Sequence, residues 1–444
     1  MNASANVNAA RSGATTRPVL VTGIGVVSPL GCDLDAFDSS LFTGRSAVRA
    51  QALELPGMER IEFATAACGA FDAAAVSGES RLPLDRGTAM ALSAARDAAA
   101  HAQLSAEGVD TFRFGVFWGS GIGGSGSFDA AAAGLYGERR RMRPTTVLTV
   151  MPNAAVAEIA LQFGARGAAL GYACACASSA VAIGEAMRAI RAGWIDVALA
   201  GGHEAMLTPG LMSAWHAMRV LAPVPSGGGA DRAQELPFVN RALKACRPFS
   251  ADRAGFALGE GAAAFVLESL AHARSRGASA IAALSGYATN CDATHLTKPD
   301  PAGQARAMRE ALRDAGLAPG DIGYLNAHGT ATAAGDAAEG ASIEAVFGGG
   351  VPVSATKAIH GHVMGAGGAV ELLASLRALA HRQLPPTAHL DRPDAAFGAL
   401  DFVRGEARAA PALAHAMSNS FAFGGTNAVL IASRIDGTSE PFLD

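Results

Sequence analysis

Apolar positions along the chain fall into short unbroken runs and into helical stripes, and the two kinds alternate. Val19 to Val27 (VLVTGIGVV) predicts a buried strand, closed by a turn at Ser28-Pro29-Leu30-Gly31. The Ala-rich stretch Gly87 to Ala102 predicts a helix. Phe114 to Gly124 (FGVFWGSGIGG) predicts a second buried strand that ends in a glycine loop. Leu170 to Ile190 (LGYACACASSAVAIGEAMRAI) then passes from small uncharged residues into a helical stripe of Val181, Ala182, Ala186, Met187 and Ile190. Ser178 and Ser179 stand where that helix should begin, as favoured helix-start residues. Asp196 to Gly202 predicts a third strand. Ala254 to Gly261, followed by apolar Ala262 to Leu267, predicts a hairpin.

The second half of the chain repeats this order. Ile281-Ala-Ala-Leu-Ser-Gly-Tyr opens it as Val19 opens the first. Ile322 to His328 ends a strand as the Phe114 stretch does. Gly365 to Leu379 repeats the small-residue entry into a helix, and Ser420 to Ile431 echoes Gly255 to Val266. Strands alternating with helices, twice over, predict an α/β protein of two stacked halves around one buried core.

Composition adds bounds. The chain has 444 residues, half of them hydrophobic and 17% charged, so it is globular and too long for one small core. A net charge of −4 gives no global pull toward nucleic acid or an anionic membrane. Arg139 to Arg143 (RRRMR) is the one dense basic run. Residues 1–17 are small and polar, without the apolar core of a signal peptide, and predict a disordered tail. Gly167 to Gly184 is uncharged, but it lacks the Leu, Ile and Phe content of a membrane span. The six cysteines follow no disulfide-framework spacing, which fits a reducing cytoplasm.

The chemistry begins at Cys176. A thiol at a helix N-terminus feels the positive end of the helix dipole, which favours thiolate, and small neighbours let a substrate approach the sulfur. A lone cysteine is more often buried and inert, so the other polar residues in Gly-rich surroundings decide the matter. They are Asn326-Ala-His328-Gly-Thr330-Ala-Thr332, Thr356-Lys357 with Gly361-His362, and Phe421-Ala-Phe423-Gly-Gly. Each follows a predicted strand, where parallel sheets present their sites. A nucleophile, two imidazoles, an ammonium and a Gly-Gly turn with free backbone N–H groups are the parts for acyl transfer through a thioester. Lys357 is one of three lysines in a chain that otherwise uses Arg. The glycine loop after Trp118 lacks the residues of a nucleotide site. Cys174-Ala-Cys176 does not complete a zinc site or match a redox pair.

Five stretches in order, ACASS, GGHEAM, NAHGTATAAGD, TKAIHGHVMGAGGAVE and NSFAFGGTNA, resemble the motifs of the β-ketoacyl-ACP synthases of the thiolase superfamily, nearest their elongating, KAS II-like type. The resemblance runs from about Pro18 to Ser433. It implies a thiolase-like duplicated α-β-α-β-α layered fold, with an N-terminal half of residues 18–275, a C-terminal half of residues 276–434 and a short tail from 435 to 444. It implies decarboxylative condensation of a Cys176-bound acyl group with malonyl-ACP. His328 and His362 would drive loss of CO₂ and hold the enolate. The backbone N–H groups of Cys176 and Phe423 would form the oxyanion hole, Phe423 also gating entry. Lys357 would hold the site's charge with Glu339 or Asp336. Thr330 and Thr332 would bind the pantetheine arm, and Ile122 would lie in the acyl pocket. Arg141, Arg143 and Arg219 would dock the acidic acyl carrier protein, which brings its own phosphopantetheine, so that no resident cofactor or metal is required. A homodimer, or a heterodimer with a ketosynthase-like partner, is implied as well.

Some features depart from the family's pattern. Cys174 stands where Thr is common, Thr145 and Thr146 stand where bulky aromatics are common, and the loop Pro223 to Ala245 is long. Fatty-acid elongation and a specialised polyketide or aryl-polyene pathway therefore both remain open. Two other readings compete. A degradative thiolase needs a second reactive cysteine where Phe421-Ala-Phe423-Gly-Gly stands. A non-catalytic chain-length-factor-like subunit would lack the nucleophile that this chain keeps.

Overall fold

Ten strands come in two sets of five, and the sets share one order. The structure, a computed structural model, describes residues 18–435 apart from 55–56, 58, 79, 81, 106–107 and 226–236. Both expected tails, except for Ile435, and the middle of the Pro223 to Ala245 loop lie outside the described residues. In the first half the strands run Val19–Val27, Leu258–Ser269, Val197–Ala205, Phe114–Gly119 and Ala169–Tyr172 across the sheet. In the second they run Ala282–Cys291, Thr426–Ser433, His415–Phe421, Tyr324–Asn326 and Pro352–Ser354. Each half thus places its strands in the chain order first, fifth, fourth, second, third. The halves are sewn together where Val19, Leu20 and Val21 pair antiparallel with Leu284, Ala283 and Ala282.

Between the two sheet halves lie the helices Ser178–Arg191 and Gly367–His381, packed on each other and each touching strands of both halves. Outside them, Arg86–His101 covers the first half, and Pro301–Ala315 with Ala333–Phe347 covers the second. The result is five layers, α-β-α-β-α. Burial explains the sequence patterns. Strands covered on both faces read as continuous apolar runs. The central helix Gly367–His381 is apolar nearly all round, and its Leu372, Leu373, Leu376 and Leu379 are all buried. Each such leucine contributes roughly 1.5–3 kcal/mol relative to exposure. The outer helix Pro301–Ala315 buries only one stripe, including Ala305, Met308 and Leu312. It starts at Asp300, whose carboxylate accepts the Ala302 N–H (3.0 Å), and stops at Gly316 in left-handed conformation.

Close approach at the centre depends on missing side chains. A Cβ on Gly119 would lie 2.3 Å from the backbone of Ser178, and one on Gly368 would lie 2.6 Å from Ala180 Cβ. Helix Ser178–Arg191 can therefore rest directly on the strand beneath it and on the helix facing it.

One element differs from expectation. Ala254 to Leu267 is not a hairpin. Leu258–Ser269 is a single strand, paired antiparallel with Val19–Val27 on one side and with Val197–Ala205 on the other. Gly261 sits inside it with an extended, positive φ of 159°, not at a turn. A further antiparallel pair, Arg49–Leu53 with Ile61–Ala66, has no apolar run to announce it. Among the described residues, no helix is long and apolar enough to cross a membrane.

Candidate active site

Cys176 lies in a single tight turn, Ala175–Ala177, between the strand Ala169–Tyr172 and the helix Ser178–Arg191. Ala175 takes a positive φ of 47°, which turns the chain sharply into the helix. The two serines do not cap the helix as expected; the cap position is Ala177. The Ser178 hydroxyl closes the turn instead, accepting the Cys174 N–H (2.9 Å) and donating to the Ala175 carbonyl (2.7 Å). Ser179 Oγ accepts the Ala369 N–H (2.9 Å), which ties the nucleophile's helix to its counterpart.

The sulfur is buried, and this reverses the thiolate expectation. Burial pushes the Cys176 thiol up to about 11, while Lys357 and the Phe423 backbone N–H pull it down by less. Burial is the largest of these influences and favours the neutral thiol.

His362 reaches this sulfur from the other half of the molecule. It follows the short helix Lys357–His360 and Gly361, whose φ is 69°. Its backbone N–H donates to the Ala257 carbonyl (2.7 Å), and its carbonyl accepts the Gly259 N–H (2.9 Å). A second-half loop is thereby pinned to a first-half strand. This leaves His362 Nε2 3.1 Å from Cys176 Sγ.

His328 follows the strand Tyr324–Asn326. Glu339 holds that loop, accepting the His328 and Gly329 N–H groups at 2.7 Å each. The His328 and His362 rings meet edge to face, 5.4 Å apart at 85°. One ligand atom from each of Cys176, His328 and His362 lies within 4.8 Å of the other two.

Lys357 sits behind His328. Its ammonium donates to His328 Nδ1 (3.2 Å) and to the His328 carbonyl (2.6 Å). Its carboxylate partner is Glu371, with both side chains wholly buried, and not Glu339 or Asp336 as expected. Asp336 accepts the Phe249 (2.7 Å) and Ala331 (3.0 Å) N–H groups and so shapes the loop beyond His328. Burial pushes the carboxyls of both Asp336 and Glu371 up to about 7.

This arrangement fixes a tautomer. Burial, Lys357 and the neighbouring imidazole hold His328 well below the usual histidine range, so the ring is neutral. A neutral ring whose Nδ1 accepts from Lys357 carries its proton on Nε2. His328 is therefore a hydrogen-bond donor. Burial, Lys357 and His360 likewise lower His362 well below the usual range.

Cys176, His328, His362, Thr330, Thr332, Glu339 and Phe423 line one cavity of about 250 Å³. Its walls include Trp215, Phe256, Met364 and Leu296, so it is largely apolar. Trp215 stacks on Phe423 at 6.3 Å. The hydroxyls of Thr330 and Thr332 lie 2.9 Å apart, with Thr332 capping the helix Ala333–Phe347. Gly424 and Gly425, both at positive φ, turn the chain after Phe423, and the Gly424 N–H donates to the Leu296 carbonyl (2.7 Å). Ile122 is not among the residues that line this cavity, and it is 42% exposed. Arg141, Arg143 and Arg219 are exposed. Glu371, Trp215 and Phe256 are site residues that the sequence pattern did not single out. For Glu371 a signal existed, since a lone carboxylate inside the apolar helix stretch GGAVELLASL needs a buried cation.

Comparisons with known proteins agree with this geometry. Residues 16–273 match the model described as Beta-ketoacyl synthase, N-terminal domain, and residues 281–391 match Beta-ketoacyl synthase, C-terminal domain. Nodulation protein E of Rhizobium sp. (strain N33) is 38% identical over 425 residues, covering 93% of this chain and 98% of that protein. The 3-oxoacyl-[acyl-carrier-protein] synthase 2 of Staphylococcus aureus (strain N315) is 35% identical over 430 residues, covering 94% and 98%. Among solved structures, a β-ketoacyl synthase from Burkholderia phymatum STM815 superposes with TM-score 0.81 at 31% identity, over 95% of this chain and all of the other. A type II polyketide ketosynthase, solved with its acyl-carrier protein and a hexaketide, superposes with TM-score 0.83 at 29% identity and the same coverage.

Proposed function

The chain belongs to the β-ketoacyl synthase family, and from that premise we propose how its own residues perform the condensation of an elongating 3-oxoacyl-ACP synthase. The observation that carries the reading is the 3.1 Å contact between Cys176 Sγ and His362 Nε2, with the donor His328 beside it.

In the first half-reaction the Cys176 sulfur attacks the thioester carbonyl of an acyl carrier protein. His362 Nε2 takes the thiol proton. The carbon–sulfur bond to pantetheine breaks, and the proton leaves with that thiol. In the second, malonyl-ACP loses CO₂, and the electron pair of the broken carbon–carbon bond becomes an enolate. Its oxygen is held by His328 Nε2–H. Such a preplaced donor acts where charge develops, in a cavity largely shielded from water. The enolate carbon attacks the acyl thioester, the N–H groups of Cys176 and Phe423 hold the oxyanion, and collapse frees a β-ketoacyl-ACP and expels the Cys176 sulfur as a thiolate, which takes a proton from water to restore the resting thiol. Holding the two thioesters together lowers the entropic barrier by roughly 7–11 kcal/mol at best. No step calls for a metal or a resident cofactor.

Thr330 and Thr332, at the cavity wall, receive the pantetheine arm. Exposed Arg141, Arg143 and Arg219 receive the acidic carrier. A second copy of the chain covers the face around Ala169–Tyr172. That strand ends the sheet, with one edge unpaired among the described residues, and beside it Leu161 is 77% and Val147 67% exposed. Ile122 stands exposed as well, so an acyl pocket there would be closed by that copy. All six cysteines are free, which suits the cytoplasm. Retention of Cys176 speaks against a non-catalytic subunit.

The test is direct. Purified protein given acyl-ACP and malonyl-ACP should release CO₂ and yield β-ketoacyl-ACP, and Cys176→Ala should not. Full turnover by that variant would reject the reading. Light scattering reads the oligomeric state.

A further inference from the structure

The turn that presents Cys176 has a twin. Met364–Ala366 is a tight turn like Ala175–Ala177, it opens the other central helix, and its first residue has a φ of 43° against 47° at Ala175. With the two turns superposed, Gly365 stands where Cys176 stands. The N–H at Gly365 has a fixed acceptor. It donates to the carboxylate of Glu204 (3.1 Å), at the end of the strand Val197–Ala205. The same oxygen accepts the Gly121 N–H (2.7 Å), and the other accepts the Ser120 hydroxyl (3.3 Å). Ile122 N–H is a further donor to this carboxylate. Glu204 is wholly buried and no cation pairs with it among the described residues. Backbone N–H groups and one hydroxyl offset part of the cost of burial, which still pushes this carboxyl up to about 7.

Sequence fits this use. A Cβ on Gly365 would lie 2.6 Å from Glu204 Oε2, and one on Gly121 would lie 2.7 Å from it. Glycine at both positions lets one carboxylate bridge two loops. One loop, Ser120 to Gly123, carries Ile122. The other carries Met364, a wall of the reaction cavity packed with Cys176, two residues after His362.

We propose that Glu204 is a positioning residue that clamps the Ile122 loop to the Met364 turn and thereby sets which acyl chains Cys176 accepts. The proposal rests on the condensing-enzyme reading. Glu204 touches no reacting atom; it acts through the two loops. Loosening the clamp lets the Met364 wall yield, so discrimination between acyl chains falls while malonyl decarboxylation continues.

The experiment compares native enzyme, E204Q, E204D and G121A in two assays. Acylation of Cys176 is followed by intact-protein mass spectrometry with a series of acyl-ACP chain lengths. Decarboxylation of malonyl-ACP is followed as CO₂ release. E204Q keeps the reach of the side chain, and should keep the ratio of kcat/KM between the best and the poorest chain within about twofold. E204D is too short to span both N–H groups, and should flatten that ratio by about fivefold or more, with decarboxylation within about twofold of native. G121A presses directly on Glu204 Oε2 and should do the same; it serves as the test if E204D does not fold. An unchanged ratio in the folded variants overturns the proposal. So does a parallel fall of both activities with thermal stability, which is what a merely structural residue would give. Failure of the native enzyme to acylate Cys176 would instead defeat the underlying reading.

Discussion

Replacing His328 by alanine separates the two half-reactions. In the native site its Nε2–H is a preplaced donor, fixed as such because Lys357 donates to Nδ1 at 3.2 Å. Deleting one donor aimed at developing charge costs roughly 10²–10³ in rate, about 2.7–4 kcal/mol. The loss should fall on malonyl decarboxylation, where the enolate oxygen forms. Acylation should survive, because the sulfur keeps His362 at 3.1 Å and the Phe423 N–H. The fold should survive too. Lys357 loses one acceptor but keeps the backbone carbonyl of residue 328 (2.6 Å) and Glu371, so no buried ammonium is left unpaired. The assay pair is CO₂ release from malonyl-ACP and the mass of acylated Cys176, with thermal unfolding alongside. Decarboxylation within about threefold of native, or an equal fall in acylation, would refute the donor assignment.

Lys357→Met leaves Glu371 buried without its cation and should destabilise the protein by about 3–5 kcal/mol at pH 8. Glu371 is already raised to about 7 and would rise further without Lys357. Stability from a raised carboxyl is complete below its ordinary value, about 4.3, and is lost as pH climbs through the folded value. Denaturant unfolding should therefore show a much smaller deficit at pH 5 than at pH 8. Because burial pushes Cys176 up to about 11, its alkylation by iodoacetamide should quicken about tenfold per pH unit between pH 7 and 10; a plateau beginning below pH 8 would contradict this. Gly119→Ala drives a methyl to within 2.3 Å of the Ser178 backbone and should cost about 1–3 kcal/mol or more, read as a lowered Tm.

The fold was legible where burial is total. Val19–Val27 and Phe114–Gly119 are covered on both faces and read as plain apolar runs. The twofold order was legible because small residues must recur at both central helices. Pairing was not legible. An apolar run such as Ala262 to Leu267 does not reveal which strand lies beside it, so a long central strand looked like half of a hairpin. Mixed polar sequence hid Arg49–Leu53. At the site, residue types pointed to Cys176, His328, His362 and Lys357, and the structure brings these together. What the chain could not reveal was desolvation. The helix end suggested a thiolate, but full burial keeps the proton on sulfur. Glu371 lay unnoticed because its partner is set by three-dimensional packing, whereas Asp336 and Glu339 sit in a conspicuous motif.

Cys176 and the imidazole that touches it are separated by 186 positions along the chain. At roughly 5–20 residues per second of ribosomal synthesis, that interval lasts about 10–40 s. A nascent or prematurely terminated polypeptide thus has a thiol but no base, and cannot load a carrier's cargo. Turnover switches on only when the last strands close over the first ones, so measured activity doubles as a report that the whole polypeptide has been finished and correctly folded.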